Sequence, residues 1–337
     1  MKDDIVRPNI IFIVIDALRA RNLSCYGYSK LTSPNIDNIA KKGILFENAY
    51  SCTNTTDPSI TTIFSGKYIL SHGIIHHGTL VQKSEINKLK ESGTYFLPEI
   101  LKSYGYVTCA FDILGRWHKR GYDFYIGPSG SSAAVGGIIK RIKRTASKFP
   151  SPIYKFLKVL YLKIRGESEP VIYDDAKILT NKAIRFIDQN LGKKFFLFIH
   201  YWDVHQYNPP KEYIGKFSID DNIQSEEEIL NQITYPTTLP SVKEGLLRHI
   251  VSREIKTVSD FIARYDEAIY FVDHEIGRLI EHLEKKKILD DTFIILTADH
   301  GESLFEHGIF VDHHGLYDVN IHIPLIFLYP EIGEHKK

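Results

Sequence analysis

The hydrophobic pattern of the chain switches between short continuous apolar runs and longer segments with helical period. The apolar runs are rich in β-branched and aromatic residues, which is typical of strands buried on both faces of a sheet. We place strands at residues 9–15, 45–50, 106–111, 195–199, 292–296 and 324–329. We place helices at residues 34–42, 58–64, 95–104, 174–190 and 259–287. This alternation predicts an α/β fold with one mostly parallel sheet covered by helices on both faces.

Polar residues that could carry chemistry follow three of the predicted strands. Asp16 ends the first run, the segment Tyr201–His205 follows the strand at 195–199, and Asp299-His300 follows the strand at 292–296. Ligands of open parallel sheets bind beyond the carboxyl ends of the strands. We therefore expect these side chains to meet at one edge of the sheet.

The Asp299-His300 pair is the strongest metal-binding signal in the chain. Adjacent side chains on a loop can both reach one cation when the turn is tight, and Gly301 permits such a turn. A carboxylate together with an imidazole suits zinc, manganese or a related ion. A lone Asp such as Asp16 more often caps a helix, so its role as a ligand depends on the others.

A hydroxyl nucleophile is offered by Thr56, which lies in Thr55-Thr56-Asp57-Pro58-Ser59. A hydroxyl is a weak nucleophile until a base or a metal ion activates it. Backbone N–H groups at the start of the following helix would also favour an anion there. The alternative is that this Thr/Ser-rich stretch is only a capped helix start.

Histidines supply candidate proton donors and anion ligands. His205 could bind a substrate anion or protonate a leaving group, whereas His200 has the alternative of being a buried, hydrogen-bonded core residue. His313 and His314 add two imidazoles shortly before the last strand, and we expect one of them to face the site.

Composition excludes several classes of protein. The chain has 337 residues, a net charge of +1 and 43% hydrophobic residues, which suits a globular domain and gives no general attraction to nucleic acid. Three cysteines without metal-type spacing support neither a disulfide framework nor a zinc knuckle. No apolar run approaches the roughly 20 residues of a membrane span, and the start, Met1 to Asp4, is not followed by a signal-peptide core. We expect a cytoplasmic protein.

The segment at 140–165 stands apart because it contains nine Lys or Arg residues and no acidic residue. It predicts either a solvated helical insertion or a basic aromatic flap that contacts a polyanionic glycan or an anionic membrane surface.

Taken in order, the motifs resemble those of the sulfatase family of the alkaline phosphatase superfamily, over about residues 8–330. No single motif is specific to this family, but the order in which the motifs occur along the chain is. The matching segments are Arg7–Arg19, Ser33–Asp37 with Gly43–Tyr50, Thr56–Ser59 with Phe64–Gly66 and His72-Gly73, Trp202–His205, Asp299–Glu302, and His313–Asp318 with Pro324–Ile326.

The resemblance implies an alkaline-phosphatase-like three-layer αβα sandwich. The whole chain, 1–337, would be one catalytic domain with a basic insertion at 130–170. One divalent cation (manganese, zinc or calcium) would be bound by Asp16, Thr56, Asp299 and His300. The catalytic residues would be Thr56, His205 and one of His313 and His314, and the substrate contacts would come from Asp203, His205 and His313.

Three departures from the family pattern matter. Thr56 cannot become the formylglycine of true sulfatases without losing its methyl group, and Ile60 replaces the Arg of the modification motif. Ala17 replaces a second Asp that calcium sulfatases have. The family continues beyond the position of Pro330, so we expect a missing or short C-terminal subdomain. Arg116-Trp117-His118 is only weakly similar to a Gly-Lys-Trp-His motif of the family, because its distance along the sequence from Gly105-Tyr106 does not match.

These features predict a metal-dependent hydrolase of sulfate or phosphate mono- or diesters that acts through a covalent Thr56 intermediate. The substrate would be a small-molecule or glycan ester. A second metal ion has less support, because Asp203 and His205 lie two residues apart where two-zinc relatives have Asp-x-x-x-His. The alternatives are a phosphoethanolamine- or phosphoglycerol-type transferase acting on a glycan or lipid, and a catalytically silent family member.

Overall fold

The computed structural model describes residues 7–127, 173–218 and 223–329. Two units are distinguished, one made of residues 1–126 and 175–337 and the other of residues 127–174. The second unit lies almost entirely outside the described residues, and so do the basic insertion predicted at 130–170 and its segment at 140–165.

The central element of the first unit is a sheet in which seven strands are described, in the order β2-β11-β7-β1-β6-β4-β5. Strand β1 is parallel to both of its neighbours, β6 and β7, and β4 is parallel to β5 and β6. Strand β11 runs antiparallel to β7 and β2. The strands are β1 Asn9–Ile15, β2 Ile44–Leu45, β3 Ala49–Tyr50, β4 Val107–Phe111, β5 Phe124–Ile126, β6 Phe195–Tyr201, β7 Thr292–Thr297, β8 Ser303–Leu304, β9 Phe310–Asp312, β10 His322–Ile323 and β11 Leu325–Leu328.

The helices connect these strands and cover the sheet. In the described parts of the chain they are α1 Pro34–Lys42, α2 Thr56–Ser65, α3 Ile69–His72, α4 Lys83–Glu91, α5 Leu97–Ser103, α6 Ala176–Gln189, α7 Asp203–Gln206, α8 Glu226–Ile233, α9 Pro240–Ser252, α10 Val258–Lys285 and α11 Asp318–Ile321. A search of the same residues for a helix with the length and apolarity of a membrane span finds none.

Alternate residues of β1 face two different cores. Ile11, Ile13 and Ile15 pack with residues of α1, α6 and α10 on one face of the sheet. Phe12 and Val14 pack with residues of α2 and α4 on the other face. Because helices cover both faces, the predicted α/β architecture of three layers around a mostly parallel sheet is confirmed.

The strand predicted at residues 45–50 is wrong, because the chain turns in the middle of it. Ile44–Leu45 pairs with β11 at the edge of the main sheet, whereas Ala49–Tyr50 pairs with β10 in a separate two-stranded sheet. The turn at Glu47-Asn48 lies between them. The polar pair Glu47-Asn48 interrupts the apolar residues at this point, and Asn is a residue that favours turns.

Helix α1 begins on a carboxylate that belongs to a distant helix. Asp273, in the middle of α10, accepts hydrogen bonds from the backbone N–H groups of Asn35 at 3.0 Å and Ile36 at 2.8 Å. It also accepts one from the side-chain amide of Asn35 at 2.8 Å. Asp273 thus caps the start of α1 and fastens it to α10. Burial raises the pKa of Asp273 to about 7.

We predict that Asp273→Ala lowers the free energy of unfolding by about 2 kcal/mol, because it leaves the first N–H groups of α1 without an acceptor. The matched control is Asp188→Ala, which removes an aspartate that pairs at the surface with Lys286 at 2.8 Å. Its cost should be about 0.5 kcal/mol or less. Chemical denaturation of the two variants measures both values, and equal losses would contradict the capping role.

Candidate active site

Four of the residues predicted to bind a metal converge at the carboxyl edge of the sheet. Asp16 follows β1, Asp299 and His300 follow β7, and Thr56 is the first residue of α2. The Nε2 atom of His300 lies 3.4 Å from Thr56 Oγ1 and 3.4 Å from Asp299 Oδ2. It also lies 3.7 Å from Asp16 Oδ1. All four side chains are buried.

The hydrogen bonding of His300 leaves its Nε2 atom available as a ligand. Its Nδ1 atom lies 2.8 Å from the carbonyl oxygen of Gly301, which can only accept, so Nδ1 carries the hydrogen. Burial lowers the pKa of His300 to about 4, so the ring is neutral near pH 7. The Nε2 lone pair therefore points at the two carboxylates and the Thr56 hydroxyl.

The buried carboxylates around His300 have oxygens without hydrogen-bond partners in the described residues. Neither oxygen of Asp16 has a hydrogen-bond partner within the described residues, and neither does Asp299 Oδ2. Burial and the charges of Asp299 and Glu302 raise the pKa of Asp16. Asp299 Oδ1, by contrast, accepts from the backbone N–H groups of Ala17 at 3.2 Å and His300 at 2.9 Å.

A divalent cation would satisfy these unpartnered atoms. Ligands bound tetrahedrally to zinc at about 2.0–2.1 Å lie about 3.3 Å from one another. The distances of 3.4–3.7 Å measured around His300 Nε2 are close to that spacing. Two carboxylates with one imidazole also suit manganese or zinc better than calcium. The residues present therefore fit a cation.

The loop that carries the Asp-His pair is held by close backbone contacts. A Cβ atom on Gly301 would lie 2.2 Å from the carbonyl oxygen of Val319, so no side chain fits there. The Gly301 N–H donates to the carbonyl of Asn320 at 2.7 Å. Gly301 is thus required by the close approach of another segment. On the other side, the Ser59 hydroxyl of α2 donates to the Asp299 carbonyl at 2.6 Å. That bond ties the helix of Thr56 to the loop of Asp299.

A second group of side chains lies beside the first. His205, Glu302 and His313 have ligand atoms within 4.8 Å of one another. Glu302 is fully buried and was not predicted as a site residue, although it follows Asp299-His300-Gly301 directly. Burial would raise the pKa of Glu302, but the hydrogen bond from His205 and the nearby rings of His205 and His313 outweigh it and lower the pKa to about 2.

Two predicted site residues lie elsewhere. Asp203 Oδ1 accepts from the backbone N–H of Ala176 at 3.1 Å, so its carboxylate lies at the start of α6, where burial raises its pKa to about 8. The side chain of His314 is 80% exposed and pairs with Asp312 at 3.1 Å. His313 is the residue of this pair that faces the site, since its ring centroid lies 4.3 Å from that of His300.

His200 is more than a core residue. Its Nδ1 atom lies 2.9 Å from Asp112 Oδ1, and its buried Nε2 atom lies 3.7 Å from Asp16 Oδ2 without a hydrogen-bond partner in the described chain. The carboxylate of Asp112 thus fixes the ring so that it faces Asp16. Asp112 follows β4, and this position after a strand was the signal that could have found it.

Asp57, the residue after Thr56, contacts an arginine and two histidines. The buried carboxylate of Asp57 lies 2.5 Å from Arg116 Nη2, 3.1 Å from His118 Nε2 and 3.0 Å from His77 Nδ1. It also accepts from the Gly78 N–H at 2.7 Å. Burial opposes ionisation, but these hydrogen bonds and charges hold the pKa of Asp57 well below its usual range. The fold therefore brings the weak Arg116-Trp117-His118 motif into contact with Asp57, the residue that follows Thr56.

Comparison with known proteins finds relatives that are named as sulfatases. The chain is 25% identical over 347 residues to an uncharacterized sulfatase, YidJ, of Escherichia coli (strain K12), and the match covers 98% of this chain and 64% of that protein. It is 24% identical to an N-acetylglucosamine-6-O-sulfatase of Bacteroides thetaiotaomicron, with the same 98% and 64% coverage. The chain therefore spans less than two thirds of the length of these relatives.

The fold has solved counterparts. The phosphonate monoester hydrolase of Agrobacterium radiobacter superposes with a TM-score of 0.66 at 18% identity, covering 96% of this chain and 68% of that one. At this identity the likeness concerns the fold alone. A family model described as sulfatase matches residues 8–337. With almost every residue inside that match, the chain belongs to the sulfatase family.

Proposed function

We propose that this chain is the catalytic part of a metal-dependent hydrolase in which Thr56 attacks the central atom of a sulfate or phosphate ester. The observation that carries the proposal is the 3.4 Å distance between Thr56 Oγ1 and His300 Nε2, beside two buried carboxylates. A threonine hydroxyl in such surroundings is placed where a cation and a nucleophile can act together.

Asp16, Asp299, His300 and Thr56 are the residues that would hold the cation. A bound manganese or zinc ion would supply positive charge that lowers the pKa of the hydroxyl and polarises the ester oxygens. The chain itself supplies the orientation. The bond from Ser59 to the Asp299 carbonyl keeps α2, and with it Thr56, against the Asp-His loop.

The proposed reaction has two steps. In the first step the Thr56 oxygen forms a bond to sulfur or phosphorus and loses its proton to water, while the bond to the leaving-group oxygen breaks and that oxygen takes a proton from a histidine. In the second step a water molecule attacks the same central atom and loses a proton, which restores the histidine, while the bond to Thr56 breaks and its oxygen takes up a proton from water. His205 and His313 would contact the anionic oxygens or protonate the leaving group. Although burial lowers the pKa of His313, Glu302 raises it overall, which suits a proton donor.

The substrate class follows from the nucleophile. Relatives are named as sulfatases, and a solved protein of the same fold is named as a phosphonate monoester hydrolase. Because Thr56 cannot be converted into formylglycine, we favour phosphorus esters, with attack by the hydroxyl itself. Sulfate esters remain the alternative that the family name suggests.

We predict that Thr56→Ala lowers turnover of p-nitrophenyl phosphate esters by about 10³-fold or more, because no other hydroxyl can replace a nucleophile of this kind. Bound manganese should fall only in part. The control is Thr55→Ala, since the neighbouring Thr55 makes no capping bond to α2, and it should keep most of the activity. Turnover is measured with sulfate, phosphate, phosphodiester and phosphonate esters. Full activity of Thr56→Ala would exclude the covalent role.

We predict that removal of metal by a chelator abolishes turnover and that manganese or zinc restores it. Asp299→Asn should weaken metal binding by at least about 10-fold, because it removes a ligand charge. Asp290→Asn, a change on an exposed loop, is the control. Titration calorimetry on metal-free protein gives the affinities. Activity that survives complete metal removal would contradict the proposal.

Asp57→Asn should lower the free energy of unfolding by about 2 kcal/mol, because Arg116 and His118 lose a charged partner that is fully buried. This loss is smaller than the roughly 3–5 kcal/mol for breaking a fully buried ion pair. The reason is that the Arg116 side chain is 33% exposed, so water screens its charge. The control is Glu244→Gln, whose pair with Arg248 lies at the surface. Unfolding of both variants by denaturant measures the two losses of free energy of unfolding. Equal effects would mean that the Asp57 cluster is an ordinary surface network.

A further inference from the structure

The proposed reaction leaves one buried charged group beside the nucleophile without a role, the carboxylate of Asp57. We propose that Asp57 is a specificity-determining residue, which cancels the positive charge of Arg116 beside Thr56 and so restricts the site to esters that carry a single negative charge. This role of Asp57 rests on the proposed function, since it decides which esters Thr56 attacks.

Asp57 lies where its charge acts on an ester bound to the nucleophile. Thr56 and Asp57 are the first two residues of α2, and Asp57 is fully buried. Water is excluded from the carboxylate, so its charge is screened less than that of a surface residue. An ester bound at Thr56 would therefore interact with this charge and with that of the arginine that pairs with it.

Arg116 is held against Asp57 by contacts on several sides. Its Nη2 atom lies 2.5 Å from each oxygen of Asp57, and its Nη1 atom donates to the carbonyl of Gly78 at 2.9 Å. Its guanidinium carbon lies 4.5 Å from the ring centroid of Trp117. The backbone of Arg116 has a φ of 51°, a left-handed conformation that residues other than glycine rarely adopt. The positive charge of Arg116 is thus committed to Asp57 rather than to a substrate oxygen.

Neighbouring basic groups are matched with carboxylates as well. Arg19, which follows β1, has its Nη2 atom 2.6 Å from Glu306 Oε1. The Nδ1 atoms of His205 and His313 lie 3.3 Å and 3.6 Å from the carboxylate of Glu302. Any anion that these two rings contact is therefore bound beside a negative charge.

The balance of charge around Thr56 disfavours a second negative charge on the substrate. Asp16, Asp299 and Glu302 are three buried carboxylates, and one divalent cation would offset two of their charges. A phosphate monoester loses its second proton with a pKa of about 6, so it carries close to two negative charges above neutral pH. A phosphodiester, a phosphonate monoester and a sulfate monoester each carry one. The singly charged esters are the class that this balance favours.

A purely structural role for Asp57 is the alternative. An acidic residue in the first turn of a helix is stabilised by the helix dipole, and Asp57 would then only hold Arg116 and His118 in place. The two roles have different consequences. Loss of a structural residue weakens turnover of all substrates alike, whereas loss of a charge changes the ratio between two substrates of different charge.

The test compares p-nitrophenyl phosphate with methyl p-nitrophenyl phosphate, which differ by one methyl group and one charge. The ratio of their kcat/KM values is measured at a pH of about 8, above the second pKa of the monoester. The unaltered chain should prefer the methyl diester. Asp57→Asn should reduce this preference by about 10-fold, because the charge of Arg116 is no longer cancelled. Arg116→Gln should increase it by a similar factor, and the double variant should return close to the original ratio.

The matched control is Asp188→Asn, which removes the same charge from a surface pair with Lys286 and should leave the ratio unchanged. If Asp57→Asn does not fold, Arg116→Gln decides alone through the opposite shift. An unchanged ratio in the variants that fold, or a lower preference for the diester in Arg116→Gln, would overturn the proposal.

A binding measurement separates this proposal from the proposed function. Calorimetry on the full chain with Thr56→Ala, loaded with manganese, gives the affinities for phenyl phosphate and methyl phenyl phosphate, with and without Asp57→Asn or Arg116→Gln. The affinity ratio should shift in the same directions as the ratio of kcat/KM. An unaltered chain that turns over neither ester would refute the proposed function, and the affinity ratio would still decide on Asp57. If neither ester binds, or if the affinity ratio does not shift, the role of Asp57 is refuted.

Discussion

The constraint on which the site depends is the burial of carboxylates at the carboxyl edge of a parallel sheet. Asp16, Asp299 and Glu302 are removed from water, and each of the three has at least one oxygen with no hydrogen-bond partner among the described residues. Buried charges of one sign repel, which is why burial and the neighbouring acids raise the pKa of Asp16. The fold stabilises this arrangement with backbone contacts and histidines, and a cation would remove most of the remaining penalty.

The fold could be predicted because its strands are buried on both faces. The apolar runs at β1, β6 and β7 have no other simple interpretation, and a polar residue follows each run at the same edge of the sheet. That is why Asp16, Asp299 and His300 could be named from the sequence, whereas Thr56 was named as a hydroxyl at the start of a helix. The strand at 45–50 was wrong because the polar pair Glu47-Asn48 is a turn that separates two short strands of different sheets.

The remaining site residues could not be found because their role depends on distant partners. Glu302 is adjacent to the Asp-His pair in sequence, yet its place beside His205 and His313 follows from the packing of the loops. Asp57 accepts hydrogen bonds from Arg116 and His118, which lie 59 and 61 residues further along the chain. Only the folded chain brings these residues together. Asp203 was misplaced for the opposite reason. Its position after β6 suggested a ligand, whereas its carboxylate caps α6.

The bond between Ser59 and the Asp299 carbonyl has a thermodynamic consequence. It joins the first turn of α2 to the loop after β7, and the Ser51 hydroxyl lies 2.6 Å from the same carbonyl. The ligand atoms are thus held in place by hydroxyl groups that would not themselves touch the ion. The ligand atoms are already in position before a cation binds, so little conformational entropy of the protein would be lost on binding.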